Sequence, residues 1–268
     1  MSKVARFSFN QATAKHWPLE DVVAGCVDAG VPGIGLWREP VQEYGLAKAA
    51  TLVREAGLAV TSLCRGGFFT ADGWRDENRR AIEEAATLGT SVLVLVSGGL
   101  PEGSRDVDGA RRMVADAIAE LAPEAAAAGV TLAIEPLHPM FCSDRCVVAT
   151  LGQALDIAEQ FEPGTVGVVV DAYHVWWDDT VYQQIARAGA RIAAYQVADW
   201  ITPLPEGVLL GRGLPGDGCV ELRRLREAVD AAGYTGPVEV EVFNAEVWAR
   251  PGRAVLDASV AGYLRHVV

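Results

Sequence analysis

The stretch VEVEVF, residues 238–243, reads as a β-strand with apolar surroundings on both sides and two acids set into it. Side chains alternate along a strand, so Glu239 and Glu241 point the same way. Seven more short runs rich in Val and Ile stand upstream: VARFSFN (4–10), GIGLW (33–37), LAVTSLC (58–64), SVLVLV (91–96), TLAIE (131–135), VGVVVD (166–171) and IAAYQV (192–197). Between them lie amphipathic stretches such as LRRLREAVDAAGY (222–234), whose Leu222, Leu225, Val229 and Ala232 recur at helical spacing and would cover a sheet.

Strand and helix thus alternate along the chain. Gly57, Gly129 and Gly233 each follow an Ala-rich helical segment and precede a strand, where a left-handed residue ends a helix at little cost. Near-continuous apolar strands separated by helices call for a parallel sheet covered on both faces, and eight such units point to an α/β fold, a closed (β/α)8 TIM barrel. The open doubly wound sheet is the competing architecture. Its nucleotide-binding form carries G-x-G-x-x-G after the first strand, where SFNQATAKHW stands here. No low-complexity linker divides the chain, so one domain is expected over residues 1–268.

Half of the 268 residues are hydrophobic and the net charge is −12, the profile of a globular protein with material for one large core. The acidic balance argues against a nucleic-acid partner, which needs clustered Lys and Arg. MSKVARFSFN lacks a basic start followed by an apolar stretch, and no apolar run approaches the roughly 18 residues of a membrane span; no membrane association and a cytoplasmic location are expected. The five cysteines are scattered and odd in number, unlike a disulfide framework; Cys142 and Cys146 have no second pair to complete a zinc site.

In a barrel the active site lies at the C-terminal ends of the strands. Strands five to eight end with Glu135, Asp171, Gln196 and Glu241. Three carboxylates gathered at one mouth repel one another unless a cation neutralises them, and oxygen ligands suit a hard divalent ion such as Mg²⁺ or Mn²⁺. Glu239 shares the parity of Glu241 one layer deeper, where a barrel Lys or Arg, or a bend, would account for it as structure. His138 and His174 lie three residues past Glu135 and Asp171, Arg212 sits in the Gly-rich LGRGLPGDG, and Trp37 and Arg38 close the second strand. His174, Arg212, Trp37 and Arg38 are candidate substrate contacts, with Trp176 and Trp177 as further aromatic walls.

AIEP at Glu135, VDAYHVWWD at Asp171 and His174, YQVADW, RGLPGDG and VEVEVF together resemble the xylose isomerase-like barrel superfamily, in its sugar phosphate isomerase/epimerase branch. The resemblance implies one divalent ion, commonly Mn²⁺, Mg²⁺ or Co²⁺ with Zn²⁺ as a further option, held by Glu135, Asp171, the position of Gln196, and Glu241. Gln196 stands where such proteins carry histidine. It also implies isomerisation or epimerisation of a keto sugar or related polyol, with Glu135 and Glu241 moving the proton and His174 and Arg212 contacting substrate oxygens.

The same groups could instead expel a leaving group, giving a lyase that cleaves a 3-keto glycoside. His138 would then serve as a base and a small second subunit would be expected. A sugar-binding barrel without catalysis is the third reading, and assembly into homo-oligomers is compatible with all three.

Overall fold

A computed structural model describes residues 3–268. Ten strands follow in chain order: β1 (Phe7–Asn10), β2 (Gly33–Trp37), β3 (Ala59–Gly67), β4 (Val92–Val96), β5 (Thr131–Glu135), β6 (Val166–Asp171), β7 (Ile192–Val197), β8 (Asp199–Trp200), β9 (Arg212–Gly213) and β10 (Val238–Val240). Eight of them pair in parallel and close into a barrel in the order β1, β10, β7, β6, β5, β4, β3, β2. β8 and β9 form a separate antiparallel hairpin in the long connection between β7 and β10.

The barrel strands are largely apolar because both of their faces are covered. All five residues of β4 are buried. Inside the barrel, Val92, Val94, Ala133, Val169 and Ala194 pack together with Cys64, while the alternate residues, such as Leu93, Leu132 and Val168, join the larger core between sheet and helices. The outer helices are built for this: Leu222–Ala231 buries Leu222, Leu225 and Val229. Gly129, at φ +71°, follows the long helix Val107–Ala127 and turns the chain into β5, a conformation a Cβ would strain.

Parity then places the polar layer. Glu135, Asp171 and Gln196 each lie two residues beyond Ala133, Val169 and Ala194, so they face inward directly above the small apolar plug. Among the described residues, no helix is long and apolar enough to cross a membrane.

Candidate active site

Glu135 and Asp171 end β5 and β6, and Glu241 follows β10 by one residue. All three are buried, Asp171 completely. Glu135, Glu241, His174, Arg212 and Trp37 line a common cavity of about 90 Å³.

Arg212 is the cation that pairs with the carboxylates of the site. The β8–β9 hairpin carries it back over the barrel mouth, where its Nη1 donates to Asp171 Oδ2 and Glu241 Oε2, both at 2.9 Å. The loop beneath is shaped by Asp199, whose carboxylate accepts the N–H groups of Trp200, Gly216 and Val220 at 2.9 to 3.0 Å. The guanidinium also sits over the rings of Tyr173 and Phe243, 4.9 and 5.1 Å from their centroids.

One guanidinium does not neutralise three carboxylates. Burial pushes Glu135 well above the usual carboxylate range, Asp171 and Glu241 add to that push, and Arg212 opposes it. Burial likewise raises Glu241 to about 7 against the pull of Arg212. Asp171 is raised by burial while Arg212 and the Tyr173 N–H hold it back; its Oδ1 accepts that N–H at 2.8 Å and starts the short helix Ala172–Val175.

Two oxygens at this site have no hydrogen-bond partner, although both are buried: Glu135 Oε1 and Gln196 Oε1. The orientation of Gln196 has a clear origin. Its Nε2 donates to Glu239 Oε1 at 3.0 Å, and a carboxylate accepts only, so the carbonyl end of the amide is turned the other way.

Glu239 corrects one expectation: among the described residues, no Lys or Arg supports it. Asn10 Nδ2 at 2.7 Å, Thr61 Oγ1 at 2.7 Å, Ser62 Oγ at 2.9 Å and Gln196 Nε2 satisfy its two oxygens with neutral donors. Gly35 leaves the space, since a Cβ there would come within 2.6 Å of the carboxylate.

His174 is fully enclosed, and burial together with Arg212 lowers its pKa well below the usual imidazole value, so the ring is neutral. Its Nδ1 receives the backbone N–H of His138 at 3.1 Å, and Arg212 Nη2 lies 3.0 Å from Nε2. A neutral imidazole can accept through one nitrogen only. With the His138 backbone N–H at Nδ1 and the Arg212 guanidinium at Nε2, both ring nitrogens face donors, so one of the two contacts is unsatisfied whichever nitrogen carries the proton. Glu135, Asp171 and His174 offer atoms within 4.8 Å of one another, but ligation through Nε2 would set an Nδ1–H against the His138 N–H. The geometry therefore suits His174 as a hydrogen-bonding group on the cavity wall.

The other expected residues divide. Trp37 lines the cavity, packs edge-on against Phe243 and donates from Nε1 to Asn10 Oδ1 at 3.0 Å. Arg38 does not reach it: as the first residue of helix Arg38–Tyr44 it turns outward and pairs with Glu84 and Glu77. The His138 ring packs against Trp177 and Trp200 and accepts the Met140 N–H, so its link to the site is its backbone N–H. Trp176 and Trp177 pack against Trp200 and His138 respectively, outside the cavity lining.

Two polar residues at the site were not singled out from the sequence. Asn10 bridges Glu239 and Glu241 from the end of β1, where the strand-end criterion would have found it. Arg145, ten residues beyond Glu135 in an irregular loop, also lines the cavity and carries no local signal.

Residues 23–261 match the xylose isomerase-like TIM barrel family. Inosose isomerase of Bacillus velezensis is 27% identical over 220 residues, covering 78% of this chain and 76% of that protein. The 3-dehydroshikimate dehydratase of Pseudomonas aeruginosa is 32% identical over 240 residues, 84% of this chain but only 36% of that longer protein. The solved structure of protein SMc04130 from Sinorhizobium meliloti 1021 superposes with a TM-score of 0.95 at 47% identity over 99% of both chains. With the match spanning nearly all of the barrel, the chain belongs to the xylose isomerase-like TIM barrel family.

Proposed function

We propose that this protein is a divalent-metal-dependent isomerase or epimerase of a keto sugar or related polyol. The observation that carries the reading is the pair Glu135 and Glu241, two buried carboxylates on one cavity, both raised by burial above the usual carboxylate range. Carboxylates so placed can take a proton from and return one to a substrate carbon. The similarity to an inosose isomerase supports a cyclic keto polyol as substrate.

The donor set fits a hard cation. Glu135 Oε1 and Gln196 Oε1 are buried oxygens without partners, and Arg212 pairs with Asp171 and Glu241 but makes no ion pair with Glu135, so the acceptor oxygens outnumber the donors that meet them. Glu135, Asp171, Gln196 and Glu241 would hold it, with Mg²⁺ or Mn²⁺ favoured by the oxygen ligands. When bound, such an ion polarises a carbonyl and acidifies the adjacent C–H.

The chain's own residues supply the remainder. One of Glu135 and Glu241 removes the proton next to the carbonyl and the other returns one to the opposite face or to the neighbouring carbon. The imidazole of His174 and the guanidinium of Arg212 meet on the cavity wall, where the guanidinium would stabilise an oxygen that gains negative charge. Trp37 and Phe243 form an apolar wall against which a ring can lie.

The similarity to a dehydratase supports a second reading, a lyase in which the same proton removal is followed by breaking a β C–O bond and loss of water or an alcohol. One experiment addresses both: wild type and Glu241→Gln are incubated in D₂O with myo-inosose, 3-dehydroshikimate and a 3-keto glucoside, with and without Mn²⁺. Metal-dependent deuterium incorporation without loss of a group supports the isomerase; an unsaturated product supports the lyase. Absence of exchange and of product across the panel argues for a binding protein.

A further inference from the structure

The acidic side of the cavity is matched by a basic one. Arg65, near the end of β3, and Arg145, in the loop after β5, both line the cavity that holds Glu135 and Glu241. Neither is paired. Every other arginine that reaches this cavity or its neighbouring wall has a carboxylate: Arg212 has Asp171 and Glu241, and Arg38 has Glu77 and Glu84. Among the described residues, no carboxylate lies within ion-pair distance of the Arg65 or Arg145 guanidinium, and the Nε of each is buried with no hydrogen-bond partner. Arg65 is held by stacking over the Phe68 ring, 4.3 Å from its centroid.

Half-buried guanidiniums left without acceptors are costly, because a charge removed from water needs compensation. The two also act on each other: burial first, and then the charge of Arg145, draw Arg65 down from its usual range, while the charge of Glu39 opposes. A core-packing role would be served as well by Met or Leu. Five donors in a planar fork, presented twice into one cavity, match the oxygens of an anion.

We infer that this cavity binds a substrate carrying an oxyanionic group, a carboxylate or phosphate, which Arg65 and Arg145 grip while the keto and hydroxyl end lies against Glu135, Asp171 and Glu241. The inference rests on the cavity being the substrate site of the proposed enzyme, and narrows its substrates to acidic keto polyols. In a chain of net charge −12 the local pair would also be what lets an anion enter.

Calorimetric titration of the Mn²⁺-supplemented protein with three probes tests it: 3-dehydroshikimate for a carboxylate, fructose 6-phosphate for a phosphate, and neutral myo-inosose. One of the two anions should bind about tenfold more tightly than inosose or better, the worth of one charge-assisted hydrogen bond, and the anion bound identifies the group. Arg65→Gln and Arg145→Gln should each weaken that anion by about tenfold more than they weaken inosose, with Arg145→Lys intermediate. The differential reading controls for misfolding, which would weaken all probes together. Tight binding of inosose with no preference for either anion, or equal losses for charged and neutral probes, would overturn the inference while leaving the isomerase reading intact. Binding of none of the three would overturn both.

Discussion

Arg212 and Asp171 meet through a single hydrogen bond of 2.9 Å, and the same Nη1 reaches Glu241 at 2.9 Å, so one internal cation ties β6 to the end of β10 across the barrel mouth. Removing it leaves buried carboxylates uncompensated. Arg212→Gln should lower the unfolding free energy by about 3 kcal/mol without metal. Mn²⁺ should restore a larger share in the variant than it adds to wild type, as read by urea unfolding with and without the ion. An equal effect of Mn²⁺ on both proteins would mean that Arg212 and the ion do not share these ligands.

Glu239 sets which end of Gln196 faces the cavity. Glu239→Gln can present either an oxygen or an NH₂ to that amide, so the carbonyl orientation is no longer enforced. Metal affinity should fall by about 10- to 100-fold with the fold retained, in the range of other orienting groups behind metal ligands. Mn²⁺ titration followed by electron paramagnetic resonance would measure it, and an unchanged affinity would assign Glu239 to barrel packing alone.

Gly35 makes room for the Glu239 carboxylate, which four donors hold in place. Gly35→Ala should therefore cost about 1–3 kcal/mol by overpacking. Gly30→Ala provides a contrast, since nothing lies within 4 Å of an added Cβ there and only its φ of +65° opposes the substitution. Thermal melting of the two variants checks that the Gly35 effect comes with loss of metal affinity and the Gly30 effect does not.

The pH dependence follows from Glu241. Its pKa rises from 4.5 to about 7 on folding, so between those values the folded state binds more protons than the unfolded state. Stability of the metal-free protein should then fall as pH rises through this window, and Glu241→Gln should flatten the fall. Glu120 and Glu159, lowered by hydrogen bonds from Arg75 and Arg187, act in the opposite sense, in a separate window at and below 4.5. Melting curves at half-unit pH steps distinguish the two ranges.

Proton transfer by Glu135 and Glu241 predicts different losses on substitution with Gln. Each single variant should lose about 10² to 10⁴ in turnover. If the two act on opposite faces, one variant should retain solvent exchange of the substrate proton without net conversion. Loss of exchange in both variants alike would point to one base and a different proton donor.

The eight strands and their order of succession were legible because both faces of each barrel strand are buried, which writes apolar runs into the chain, and because glycine ends helices at the turns into strands. The same rule exposed Glu135, Asp171, Gln196 and Glu241, since a strand-end acid beyond an apolar run faces the barrel mouth by parity. What the sequence could not determine was how charges pair across the barrel. Arg212 reaches Asp171 and Glu241 only because a hairpin folds it back 41 and 29 residues from them in the chain. Glu239 is satisfied by neutral donors from β1, β3 and β7, and Arg38 and Arg65, close in sequence to the same mouth, end in opposite circumstances, one paired and one left facing the cavity. Local pattern governs which face a side chain takes; its partner depends on the closure of the barrel and the paths of the loops, and those are settled in three dimensions.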